Sequence, residues 1–305
     1  MKMDSVIAQI QKLKKEENAV ILAHTYQSPQ VQRIADFVGD SYAMAVYASK
    51  LTGYKRTIVC GVRFMAETVK LLAPELEVVL PEPSAGCPMA EQIAPERVRA
   101  FKAEHPEYAV AAYVNTTAAL KAECDVCVTS SSALKIIRAL PQEKILFIPD
   151  QNLGAYVRDM VPEKEIVLWD GYCPIHSRIT EEDVLHAKAE HPGAAVAMHP
   201  ECTPEALRHA DVIGSTKEII DFMKTATRPV IVATERNVYD KLAPELPDKS
   251  FYQLCPDKLV CADMQKITQE LVLDALRGGG EQMALDAAVA AGARRALDNM
   301  LKYGG

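Results

Sequence analysis

The strongest constraint on how this chain can fold is an internal repeat. "KAEHP", followed by a short gap and an Ala/Val run, occurs at residues 102–106 and again at 188–192, an offset of 86. Self-similarity at a fixed period has to be settled before single motifs are read, because it decides the architecture. The repeated phrase is part of a longer pattern. "NAVILAH" (18–24), "YAVAAYVN" (108–115) and "AAVAMHPE" (194–201) are short, nearly continuous apolar runs, as expected of strands buried on both faces. Each is followed by an Asp-bearing strand and turn with Ser or Thr ahead of a helical pattern: Ser41, Ser130, and the pair Ser215–Thr216. A third strand then runs into a polar loop and helix ("RTIVCGVRF", "EKILFIPDQ", "RPVIVATER"). Last comes a Cys-bearing loop that opens another helix.

Strands alternating with helices at this spacing predict parallel sheets covered by helices on both faces. The expected fold class is α/β: three homologous three-layer α/β/α domains with pseudo-threefold symmetry about a central site. The predicted units are 1–105, 106–191 and 192–280, with a C-terminal helix over 281–303 packing back on the first unit. The loop "CGVRFMAETV" is read as a gate over the site.

Bulk properties narrow the function. A length of 305 residues can bury a sizeable core, and 49% apolar with 25% charged residues is ordinary for a globular chain. A formal charge of −7 with no basic stripe argues against a nucleic-acid surface. The first twenty residues read as a polar amphipathic helix, no run of 18 uncharged apolar residues occurs, and a cytoplasmic location without a membrane span is expected. Eight cysteines in such a chain point to metal ligation or burial rather than disulfides.

Three of those cysteines, Cys87, Cys173 and Cys261, occupy the repeated loop at spacings of 86 and 88. In open parallel sheets ligands bind beyond the carboxyl ends of the strands, so three sheets facing one axis would bring these thiols together. Three cysteines can hold an iron–sulfur cluster with one iron left open, since complete ligation of a 4Fe-4S cluster takes four. The alternatives are small buried hydrophobes, the common fate of free Cys, or half a zinc site at Cys124-x-x-Cys127, which lies in a predicted buried strand and has no second pair. Cys255 competes with Cys261, and the period together with the following helix favours Cys261. After the first strands the copies diverge: His24 and Tyr26, Tyr113 and Asn115, His199 and Glu201. Proton-transfer groups at equivalent positions of a symmetric frame would make an asymmetric active site.

The ordered set "AHTYQ", "IADFVGDS", "AGCPMA", "YVNTTAALKAECDVCVTSSSA", "PDQNLG", "GYCPIH", "MHPEC", "GSTKEI" and "CADMQKITQE" resembles the quinolinate synthase family over nearly the whole chain. That resemblance implies condensation of iminoaspartate with dihydroxyacetone phosphate to quinolinate, phosphate and water in NAD biosynthesis. It implies a 4Fe-4S cluster on Cys87, Cys173 and Cys261 with one open iron acting as Lewis acid. By motif, the substrate would be held by His24, Ser41, Tyr113, Val114, Asn115, Ser130, His176, His199, Pro200, Glu201, Ser215 and Thr216. Tyr26, Tyr113, His199 and Glu201 would be the catalytic groups, and aspartate oxidase a transient partner. Two other readings stand beside it: another hydro-lyase with a three-Cys cluster, and a non-catalytic module such as a zinc scaffold or electron carrier.

Overall fold

The computed structural model describes residues 2–304. Its strands form three sheets. The first holds β1 (Ala19–His24), β2 (Phe37–Gly39), β3 (Arg56–Cys60) and β4 (Glu77–Leu80). The second holds β5 (Tyr108–Tyr113), β6 (Val126–Val128), β7 (Lys144–Ile148) and β8 (Glu165–Leu168). The third holds β9 (Ala195–Met198), β10 (Val212–Ile213), β11 (Val230–Ala233) and β12 (Phe251–Gln253). Within each sheet the order is second–first–third–fourth and every one of these pairings is parallel. The α/β class and its three parallel sheets are therefore as the repeat implies.

The apolar runs become strands because each buries both faces. Val20 and Leu22 face one core, whereas Ala19, Ile21 and Ala23 face another. In β9, Val196 and Met198 point to one side and Ala197 to the other. This is the period-2 alternation of a strand carried through two apolar layers.

One hydrogen-bonded clamp recurs in all three units. The carboxylate of Asp36 accepts the Ile21 N–H at 2.9 Å, Asp125 that of Val110 at 2.8 Å, and Asp211 that of Val196 at 2.9 Å. Each Asp N–H returns a bond to the carbonyl of the same strand residue. A cation holds the other carboxylate oxygen each time: Lys14, Lys102 and Arg228. The clamp ties the second strand to the first in identical register. It makes His24, Tyr113 and His199 equivalent, and likewise Tyr26, Asn115 and Glu201.

The chain from residue 281 differs from the predicted helix over 281–303. Glu281–Gln282 forms β13, which pairs antiparallel with β4 at the edge of the first sheet. The helix is Ala287–Gly304. It packs chiefly on the second unit rather than the first. Its small face allows close approach to helix Ala118–Ala122, where a Cβ on Gly292 would sit 2.8 Å from the Ala122 carbonyl oxygen. Asn299 donates to the Asp125 carbonyl, and Arg294 reaches the first unit by donating to the Leu71 carbonyl. The segment read as a gate loop is mostly regular structure: it ends β3 and opens helix Arg63–Leu72. Among the described residues, no helix is long and apolar enough to cross a membrane.

Candidate active site

The carboxyl ends of the three sheets border one cavity of about 340 Å³. From the ends of the first strands it receives His24 and Tyr26, Tyr113 and Asn115, and His199 and Glu201. The intervening residues Thr25, Val114 and Pro200 do not line it. Successive side chains of an extended backbone face opposite ways, so Val114 packs into the apolar core instead. Ser41, Ser130 and Thr216 line the cavity, whereas Ser215 does not. Ser41 and Thr216 are the first residues of helices Ser41–Ala48 and Thr216–Thr225. Ser130 lies in the turn before helix Ala133–Ala139 instead of opening it. The Ser215 hydroxyl is spent in a capping box with Glu218.

Cys87, Cys173 and Cys261 line the same cavity; the other five cysteines do not. A second recurring contact makes these three equivalent. The residue that opens the helix after each third strand donates its N–H to the carbonyl two residues before the cysteine: Arg63 to Ala85, Gln151 to Gly171 and Arg236 to Leu259. Gln92 ties the first two arms together, with its amide both donating to the Tyr172 carbonyl and accepting the Tyr172 N–H at 3.0 Å. At Gly171 a Cβ would come within 2.4 Å of the Pro149 carbonyl oxygen, so the Cys173 arm lies directly on the end of β7. Cys60 and Cys202 are core residues, Cys124 and Cys127 are buried in and beside β6, and Cys255 faces Asp183.

The polar centre is Glu201. Its Oε1 accepts from the Tyr113 hydroxyl at 2.6 Å and its Oε2 faces His176 Nδ1 at 2.7 Å. Burial works against its ionisation, but the flanking His199 and His176 together with these hydrogen bonds outweigh it and hold the carboxyl below its usual range. Burial raises Tyr26 and Tyr113 well above the usual phenol value, so both remain donors. The Tyr26 hydroxyl lies 2.7 Å from Thr216 Oγ1 and 2.9 Å from Thr234 Oγ1. His176 also approaches Thr234 Oγ1 at 3.2 Å and Cys173 Sγ at 3.5 Å, which joins the cysteine arm to the proton-transfer groups.

His24 and His199 share one tautomer. Nδ1 of His24 accepts the Tyr26 N–H at 3.1 Å and Nδ1 of His199 accepts the Glu201 N–H at 3.3 Å, leaving Nε2 as the protonated nitrogen of each. Burial lowers both from 6.5 to about 3, so they are neutral donors. The unfolded chain takes up these two protons near pH 6.5 and the folded chain only near pH 3. Their stabilising contribution is therefore complete above pH 6.5 and is lost as pH falls toward 3. Glu235, raised to about 7 by burial, acts in the opposite sense, so the test is a difference between proteins. His24→Gln should flatten the fall in unfolding free energy between pH 6.5 and 4 by about 3 kcal/mol. Denaturant titrations across that range would contradict this if both proteins showed equal slopes.

Several lining residues went unread in the sequence, among them Asp40, Tyr42, Phe64, Met65, Arg178 and Glu235. Comparison with known proteins bears on this architecture directly. The family model described as Quinolinate synthetase A protein matches residues 8–302. The chain belongs to the quinolinate synthase family. It is 46% identical to a quinolinate synthase of Caldicellulosiruptor bescii over all of both chains. It is 44% identical to those of Alkaliphilus metalliredigens, over 99% of each chain, and Methanoregula boonei, over 96%. The quinolinate synthase activity anticipated from the motifs is thus the activity of its family, which uses a 4Fe-4S cluster.

The donor set fits such a cluster. Three thiols from equivalent arms line one cavity and no fourth cysteine joins them. Burial raises Cys87 to about 12, Cys261 to about 11 and Cys173 well above 9, so a bound group must supply the positive charge that displaces these protons.

Proposed function

We propose that the cavity condenses iminoaspartate with dihydroxyacetone phosphate, releasing quinolinate, phosphate and two waters, with Cys87, Cys173 and Cys261 holding the 4Fe-4S cluster. The observation that carries this reading is the meeting, in one cavity, of three equivalent thiols with three equivalent but chemically different strand ends. A symmetric set of ligands under an asymmetric set of acids, bases and donors suits a substrate pair with distinct ends.

When bound, a cluster with three cysteine ligands supplies an open iron that acts as a Lewis acid on a substrate oxygen. The side chains account for the rest. His24 and His199 offer neutral Nε2–H groups to substrate carboxylate or carbonyl oxygens. Ser41, Ser130, Thr216 and Asn115 offer neutral polar groups around the wall, and Asn115 has a buried Oδ1 with no protein partner. Ser41 and Thr216 also stand at helix N-termini, where free N–H groups favour anions. Glu201 takes the protons that leave carbon and nitrogen as the ring forms, while Tyr113 and His176 hold its two oxygens in place. Burial of His24, Tyr113, His176, His199, Glu201 and Thr216 limits the access of bulk water to a reactive imine. The reading includes a cytoplasmic location and transient contact with aspartate oxidase as the source of iminoaspartate.

Anaerobically reconstituted protein is expected to be brown and to contain about four iron and four sulfide per chain. A colourless protein holding only zinc after the same treatment would contradict the reading.

A further inference from the structure

Asp150 and Glu235 have no part in the chemistry above, yet both are fully buried beside it. Each stands two residues beyond the third strand of its unit, Asp150 after β7 and Glu235 after β11. Each carboxylate works as a fork. Oδ1 of Asp150 accepts the Leu153 N–H at 2.8 Å, capping helix Gln151–Met160, while Oδ2 accepts the Cys173 N–H at 2.9 Å. Oε2 of Glu235 accepts the Asn237 N–H at 2.8 Å, capping helix Arg236–Glu245, while Oε1 accepts the Cys261 N–H at 3.4 Å. Gln265 Nε2 also donates to Oε1 at 3.4 Å. The equivalent residue of the first unit is Val62, which caps nothing with its side chain and cannot accept a hydrogen bond from the Cys87 arm.

We propose that Asp150 and Glu235 are positioning residues for the iron–sulfur cluster, each fixing the backbone of one thiolate ligand to the end of its own sheet. This rests on the assignment of Cys173 and Cys261 as ligands. A carboxylate suits the task because two acceptors are needed at once, one for the helix start and one for the cysteine. An amide supplies one acceptor and turns its NH₂ toward the other N–H. The fork also directs each cysteine N–H to the carboxylate, so that it is not free to donate to cluster sulfur. Two of the three ligand arms are therefore anchored by a buried acid, and the Cys87 arm is held instead through Gln92 to its neighbour.

Serine separates the two roles, since it can still cap a helix but has a single oxygen too short to reach the cysteine. In reconstituted holoenzyme, Asp150→Ser and Glu235→Ser should each speed anaerobic iron release to a ferrous chelator by about 10- to 100-fold. The cluster's reduction potential should shift positive, because the freed N–H can turn to a cluster sulfur. Thermal unfolding of the metal-free chains should fall only modestly, by the loss of one buried acceptor, so the changed potential is the readout that separates positioning of the cluster from stability. Should a serine variant not fold, Asp150→Asn and Glu235→Gln keep the side-chain volume and should move both quantities in the same direction. Wild-type iron release and potential in all the folded variants would overturn the proposal. Cluster assembly that survives Cys173→Ala and Cys261→Ala would instead overturn the ligand assignment, which is a separate result.

Discussion

Glu201→Gln is expected to lower kcat by about 10²- to 10⁴-fold, the range that a positioned acid–base group contributes, with KM changed far less and the cluster retained. Glu201 accepts on both oxygens, from the Tyr113 hydroxyl at 2.6 Å and opposite His176 Nδ1 at 2.7 Å. Glutamine keeps one acceptor, loses the charge and presents an NH₂ to one of these partners. It can neither accept the protons released during ring closure nor hold Tyr113 and His176 as before. Steady-state kinetics with iron quantified in the same samples checks this. Near-normal turnover at full iron content would remove the proton role from Glu201.

The second large effect separates two neighbouring cysteines. Cys261→Ala should abolish both the cluster and quinolinate formation, as should Cys87→Ala and Cys173→Ala, whereas Cys255→Ala should retain both. Only Cys261 lines the cavity, and its arm repeats the contact made by the other two, Arg236 N–H to Leu259 carbonyl. Cys255 has a positive φ of 41°, faces Asp183 and does not line the cavity. Iron and sulfide analysis of the four variants after anaerobic reconstitution gives the answer. A cluster lost in Cys255→Ala and kept in Cys261→Ala would reverse the assignment.

The architecture was legible because three copies of one unit repeat their punctuation. The Asp of "IADFV", "AECDV" and "HADVI" is the clamp that sets strand register, and a Cys loop follows later in each copy. What the sequence left unread belongs to contacts between copies or to single residues with an ordinary local reading. An acid just after a strand looks like a helix N-cap, and Asp150 and Glu235 are N-caps; that their second oxygens reach a cysteine N–H requires the fold. Phe64 and Met65 form part of the cavity wall from a helix whose pattern reads only as a core face.

Two features of the cavity wall follow from local pattern. The side chains of Val114 and Pro200 stay out of the cavity that their flanking residues line; Val114 follows directly on β5, and Pro200 lies in a turn closed by the Cys202 N–H to the His199 carbonyl. Ser215 begins "STKE", a capping-box spacing that already spends its hydroxyl on the helix. The packing of Ala287–Gly304 on the second unit was hidden for another reason: a small-residue face fits any neighbour close enough to accept it.

The most direct measurement is an anaerobic assay of the reconstituted enzyme with iminoaspartate and dihydroxyacetone phosphate, following quinolinate and inorganic phosphate together. Equal amounts of both products are expected, dependent on the cluster. Cluster-loaded protein that forms neither product from these substrates would contradict this.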